Sequence, residues 1–476
     1  MIIALLILLV VQLPVEARLL SDESGGSLYL PLVMKNYPPP PPIFGVEINR
    51  GWVSKIVNKA VDGNIHWVRY NGIIWHEIEK SEGSYDTNAL NAIKADLQLL
   101  NQYGLKVVLI VRGTPSYYQK VDGYDCGPVK QENFEDFKRF IQFIVNELKP
   151  YNVKNWEIGN EPDVHPSPAM KGAPYGCWGD INDPYYGGRY YGEFLKVAYQ
   201  AIKEVDPSAR VHFGGLLLVC DPEKEPSPNY CLAAKFLEGA MLGGAGNYFD
   251  VLAFHSYPYW MVNNSNQEYF YEWDRKHWYW SHRRGILLGK LDYVREILNR
   301  YGYPNKPISM NEGGLMCSIA DRNSPNYTYC TDGKLFKAQG NYAIRTYARS
   351  LANNIESVMW YTLNGPGWRE GGLLDGSGNP RLAYYSIKFL GGLLTGLESS
   401  RIIAWEDDFE GYEFIKTNKI YRVYWTNSSS SRSLPRPQGL SRVYQYDPNY
   451  QYSIREISIG SQISVGFDPV ILEIDK

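Results

Sequence analysis

The chain has 476 residues but only seven histidines, and none of its six cysteines forms a C-x-x-C pair. The spacings typical of a structural zinc site are therefore missing. His76-Glu77 has no second histidine one helical turn later, so the zinc-hydrolase helix motif is absent too. No glycine-rich phosphate loop follows the first candidate strand, which argues against a nucleotide-binding sheet. Neither sign of charge dominates: 48 Lys and Arg face 51 Asp and Glu, a net charge of −3. That balance gives no electrostatic drive toward nucleic acid or an anionic membrane surface. The apolar run Ile2–Val11 falls short of the roughly 20 residues that a membrane-spanning helix needs. Leu13-Pro14 and then Val15-Glu16-Ala17 follow it, a small-x-small pattern suited to signal peptidase, although no Lys or Arg precedes the run. Residues 1–17 are thus expected to be a secretory signal peptide and the protein to be secreted or extracellular; the rival reading is an uncleaved N-terminal anchor.

What the sequence does have is apolar and aromatic. Hydrophobic residues make up 44% and charged residues 21%, enough to bury a large core and to exclude global disorder. There are 39 Tyr and 13 Trp, whose ring faces stack on sugars but also fill cores. Cys220 and Cys231 bracket one Pro/Asn-rich excursion, Cys317 and Cys330 another, leaving Cys126 and Cys177. The expected pattern is three loop disulfides, 220–231, 317–330 and 126–177, against the alternative of buried free thiols.

Residues 18–42 are polar and then Pro-rich, ending in the run Pro38–Pro42, which reads as a semi-rigid linker. From Ile43 onward, β-branched apolar runs alternate with segments of helical period. Candidate strands are Phe44–Ile48, His66–Tyr70, Leu105–Val111, Val153–Ile158, Val211–Leu217, Phe249–Phe254, Pro307–Met310 and Ser357–Tyr361. Helical stripes lie between them, for example Leu90, Ile93, Leu97 and Leu100, or Phe137, Phe140, Ile141 and Ile144. This alternation predicts an α/β fold, a (β/α)8 TIM barrel over 43–395, with an open doubly wound sheet as the alternative. After Ser400 the pattern changes to short alternating runs separated by Asn, Gly, Ser and Pro. Residues 396–476 are expected to form a small antiparallel β-sandwich packed on the barrel.

Catalytic groups of such a barrel stand where strands end, on the C-terminal face. The fourth candidate strand runs into Asn160-Glu161-Pro162, and the seventh into Asn311-Glu312-Gly313-Gly314. Strands four and seven face each other across the mouth, so the two carboxyls can flank one glycosidic bond. Asn160-Glu161-Pro162 with Glu312, together with His255-Ser256-Tyr257 after strand six and Trp360 on strand eight, resembles the pattern of glycoside hydrolase clan A, the 4/7 barrel superfamily. Within the clan, the Trp156–Pro162 stretch and the C-terminal β appendage are most similar to family 39 and its relatives.

The resemblance covers roughly residues 43–395. It implies Glu161 as acid/base, Glu312 as nucleophile, retention of anomeric configuration, and β-linked poly- or oligosaccharide as substrate. It also implies that Asn160 holds the sugar 2-hydroxyl and that Arg69 braces the nucleophile. Tyr257 is expected to donate to Glu312, His255 to touch substrate or order Tyr257, and Trp360 to form a sugar platform. Trp260 opens a crowd of rings reaching Trp280 that either walls the cleft or tucks against the barrel. Ionised Glu312 is expected to keep Glu161 protonated by its proximity. No cofactor or metal is called for, and oligomeric state is not legible. Two other readings share most of these residues: a transglycosylase, and a non-catalytic carbohydrate-binding barrel.

Overall fold

A computed structural model describes residues 43–166, 176–222, 231–261 and 271–476. The proposed signal peptide and linker lie outside these residues. Eight parallel strands form one sheet: β1 (Phe44–Asn49), β2 (Trp67–Ile74), β3 (Lys106–Arg112), β4 (Asn155–Asn160), β5 (Arg210–Gly215), β6 (Leu252–Ser256), β7 (Ile308–Gly313) and β8 (Val358–Trp360). Their order across the sheet is β5-β4-β3-β2-β1-β8-β7-β6. The free edges meet: Phe213 N–H donates to Val251 O at 2.9 Å, and His255 N–H to Leu216 O at 2.8 Å. Each strand thus neighbours its sequence successor, and the (β/α)8 barrel is closed.

The helices are α1 (Val53–Asp62), α2 (Ala89–Gln102), α3 (Phe134–Leu148), α4 (Gly188–Val205), α5 (Phe236–Leu242), α6 (Ile286–Arg300), α7 (Lys334–Ala352) and α8 (Leu382–Leu394). They bury the expected stripes, including Leu90, Ile93, Leu97 and Leu100 on α2 and Phe137, Phe140, Ile141 and Ile144 on α3. Inside the barrel, a two-residue period points Trp67, Arg69 and Asn71 of β2 inward, matched by Val108, Ile110 and Arg112 of β3. Trp67 and Val108 pack with Met359 of β8 as a small apolar floor. Above that floor the inward residues become charged. The strand β2 runs four residues past its expected end because Ile73, beyond Gly72, is again buried.

After α8 come β9 (Ser399–Glu406), β10 (Phe409–Lys416), β11 (Lys419–Thr426), β12 (Arg432–Pro435), β13 (Leu440–Tyr446), β14 (Ile454–Ile457), β15 (Gln462–Val465) and β16 (Val470–Asp475). Six of them form an antiparallel sheet in the order β9-β10-β11-β16-β13-β14, and β12 pairs β15 separately. The sequence reading missed β12, β14 and β15, which are four residues each. Strands that short give little alternation to detect.

A buried ionic network joins α7 to this sheet. Arg349 Nη2 and Nε bind Glu410 on β10 at 2.7 and 3.0 Å, and Arg349 Nη1 reaches Glu272 at 3.3 Å. Arg345 pairs with Glu272 and donates to Phe467 O at 2.6 Å. All four charged side chains are buried. The three disulfides are 126–177, 220–231 and 317–330, with Cα–Cα separations of 5.2, 5.6 and 5.7 Å. They match the expected pairing, and no cysteine is left over.

Removing one member of a buried charge network strands its partners away from water. Arg349→Leu should therefore cost about 3–5 kcal/mol of unfolding free energy, read from urea denaturation followed by tryptophan fluorescence. A loss below about 1 kcal/mol, the level of an exposed pair, would show the network to be unimportant for stability.

Candidate active site

The site is built around Arg69, whose side chain is 1% exposed. Its guanidinium donates to acids on three strands. Nη1 meets Glu47 Oε2 of β1 at 2.6 Å and also Glu312 Oε2 of β7. Nε and Nη2 fork onto Glu157 of β4 at 2.9 and 2.8 Å, and Nη2 reaches Asn160 Oδ1 at 2.5 Å. Glu157 also accepts Gly215 N–H at 3.0 Å. Burial pushes the Glu157 carboxyl up, but the Arg69 charge and hydrogen bonds outweigh it and hold the group below its ordinary value. Burial, opposed by Arg69 and reinforced by Glu312, drives Glu47 upward.

Glu312 has a second donor, since the Tyr257 hydroxyl binds its Oε1. Both of its oxygens are therefore held by protein donors. Glu161 follows the last residue of β4 in a left-handed conformation, φ 48°. A non-glycine residue pays about 1–2 kcal/mol for that. Its N–H is held by Gly215 O at 2.9 Å. The Glu161 carboxyl is buried, and Oε1 lies 2.8 Å from His255 Nδ1. His255 can approach only because position 215 is glycine: a Cβ there would sit 2.1 Å from His255 Nε2.

Burial raises the Glu161 carboxyl to about 7, against the opposing charges of Arg69 and Lys290. The leading cause is desolvation and not the Glu312 charge, which corrects the expectation drawn from proximity. His255, pulled down to about 4 by burial, is neutral beside it. Lys290 of α6 closes the back of the site, donating to Leu217 O at 2.6 Å and His255 O at 2.9 Å.

Glu47, Arg69, Asn160, Glu161, Tyr257 and Glu312 line a cavity of about 620 Å³ at the barrel mouth, together with Asn49, Asn71, Arg112, Leu217, Tyr259, Tyr361 and Trp368. Carboxylate oxygens of Glu161 and Glu312 and a ring nitrogen of His255 lie within 4.8 Å of one another. That triad has metal-ligand types, but both Glu312 oxygens already accept from Arg69 and Tyr257. The donor set suits hydrogen bonding to substrate better than holding a second cation.

The structure brings together Glu161, Glu312, Asn160, Arg69, His255 and Tyr257. His255 bonds to Glu161, with its ring 6.4 Å from that of Tyr257. One aromatic expectation fails, that for Trp360, and for Trp260 the tucked alternative holds over the cleft wall. Trp360 is fully buried, its Nε1 donating to Gly371 O at 2.9 Å, and it does not line the cavity. Trp260 is buried against Trp273, ring centroids 4.7 Å apart. Strand alternation explains Trp260: on the two-residue strand Tyr259–Trp260, Tyr259 faces the cavity and its neighbour faces away. Trp280 is buried too, so among the described residues this segment mostly tucks inward. Trp368, 39% exposed, lines the cavity instead. Sequence reading also passed over Glu47 and Glu157. The usable signal was an acid at an inward position of an otherwise apolar strand, which demands a buried partner.

No family model matches the chain, and no curated protein matches it in sequence. Solved structures do. A family 39 glycoside hydrolase from Bacteroides cellulosilyticus WH2 is 16% identical with a TM-score of 0.65, covering 92% of this chain and 81% of that one. A family 30 endoxylanase from Clostridium papyrosolvens C71 is 12% identical with a TM-score of 0.55, covering 92% and 97%. A family 51 α-L-arabinofuranosidase from Bifidobacterium longum is 11% identical with a TM-score of 0.59, covering 93% and 98%. At these identities what is shared is the fold, a (β/α)8 barrel followed by a small antiparallel β domain.

A carboxyl raised above its ordinary value keeps its proton at neutral pH and loses it as pH rises through the raised value. Beside the raised Glu47, carbon-13 NMR of glutamate-labelled protein should show a side chain titrating near pH 7 that disappears in Glu161→Gln. Its absence from the wild-type titration above pH 6 would contradict the buried, protonated Glu161.

Proposed function

We propose that the protein is a secreted, retaining glycoside hydrolase that cleaves O-glycosidic bonds, β-linked, in poly- or oligosaccharides by double displacement. Residues 1–17 are assigned to the signal peptide, 18–42 to the linker, 43–395 to the catalytic barrel and 396–476 to the C-terminal β-sandwich domain. Three disulfides favour an oxidising, extracellular setting.

The observation that carries the mechanism is the separation of at most 4.8 Å between a Glu161 and a Glu312 oxygen. Direct attack by one carboxylate needs a gap of about 5–5.5 Å, whereas a water between the two carboxyls needs about 6.5–9.5 Å. In this reading Glu161, protonated at neutral pH, gives its proton to the departing oxygen. Glu312 attacks the anomeric carbon and forms a glycosyl ester. Arg69 and Tyr257, one on each carboxylate oxygen, keep Glu312 aimed at the anomeric carbon. Once esterified, Glu312 has no charge, and Glu161, now a carboxylate, takes a proton from the incoming water, which releases the sugar with its configuration retained. Asn160 stands beside Glu161 in reach of the ring hydroxyls, and Trp368 takes the stacking role first expected of Trp360.

Glu312→Ala tests this directly. Turnover of an aryl β-glycoside should fall by about 10⁴-fold or more, and azide should restore it with the inverted glycosyl azide as product. Near-wild-type turnover in Glu312→Ala would end the mechanism.

A further inference from the structure

One cation of the cavity has a role that the double displacement leaves open. Arg112, the last residue of β3, lines the mouth together with Asn71 and Asn49. The inward alternation Val108, Ile110, Arg112 places it one layer above Arg69, on the side where substrate enters. Its Nε donates to Asn71 Oδ1 at 2.8 Å, which fixes the plane of the guanidinium. Among the described residues no carboxylate lies within ion-pair distance of Arg112, and its terminal nitrogens have no protein acceptor. Glu77, on the one-turn helix Trp75–Ile78 that follows β2, is paired with Arg50 at 2.6 Å. Burial works against the Arg112 charge, and Asp125, Glu47 and Glu77 offset it only from a distance. Arg69, by contrast, is saturated by acids on three strands.

We propose that the cavity accepts an anionic sugar, a uronic acid unit whose carboxylate docks on the free Nη1/Nη2 side of Arg112. This rests on the glycosidase reading and names its substrate class. A guanidinium held in plane by its Nε presents two parallel N–H groups with the spacing of carboxylate oxygens. A neutral hydroxymethyl group would leave the cation desolvated and unpaired. Asn71, which orients Arg112 without touching the carboxylate, is a positioning residue.

The experiment compares paired aryl β-glycosides differing only at C6, glucoside against glucuronide and galactoside against galacturonide, with a 6-sulfated glycoside as a further arm. The full-length protein should cleave the acidic member of one pair with kcat/KM at least about tenfold higher. Arg112→Gln should bring that ratio to about one or below, and Arg112→Lys should keep part of it, because the charge remains and the fork is lost. A preference for the sulfated sugar over the uronide would overturn the carboxylate assignment. Neutral preference in both pairs, or a ratio unchanged in Arg112→Gln, would overturn the proposal. Binding is read separately by tryptophan fluorescence with glucuronate, galacturonate, glucose and galactose. Acid-selective binding that Arg112→Gln abolishes would support the Arg112 site even if no glycoside is cleaved. Binding without acid selectivity, or no binding of either acid, would count against it.

Discussion

A single buried guanidinium organises the mouth of this barrel. Arg69 sits on β2 between β1 and β3, yet its three nitrogens reach Glu47 on β1, Glu157 and Asn160 on β4, and Glu312 on β7. A charge so enclosed is tolerable only if its hydrogen bonds are met by fixed acceptors. The acceptors come from strands that the barrel closes around it. The pairing of Arg69 therefore ties β1, β4 and β7 together beneath the mouth where Glu161 and Glu312 stand.

The two candidate catalytic carboxyls are treated differently by their surroundings. Glu312 is solvated by protein donors, Arg69 on one oxygen and Tyr257 on the other. Glu161 is buried beside a neutral histidine, with cations acting on it only at a distance, so its carboxyl rises to about 7. Burial leads the rise of Glu161, opposed by the more distant charges of Arg69 and Lys290.

Much of this was legible before any coordinates. The eight strands fall within a few residues of where apolar alternation placed them, and α3 is bounded by Phe134 and Leu148 as its stripe suggests. Glu161 and Glu312 stand out in the sequence as strand-end acids on opposite strands, and the structure places both in one cavity. The expected platform at Trp360 is buried instead, because residue type alone does not say which way a ring faces. Facing is decided by strand alternation and by loop geometry far off in sequence, which brought Trp368 to the cavity. Glu47 and Glu157 escaped because each lies inside a strand of five or more buried or half-buried residues, where an acid reads as noise unless its partner is known. Arg112 escaped for the same reason, as the last residue of an apolar run.

The most direct measurement is covalent trapping. A 2-deoxy-2-fluoro glycoside with a dinitrophenyl leaving group, built on a sugar that the protein cleaves, slows release of the glycosyl intermediate more than its formation. Peptide mass mapping should then find one fluoroglycosyl ester, on Glu312, and none in Glu312→Ala. An ester on another residue, or steady turnover with no ester formed while retention of configuration is lost, would contradict the account.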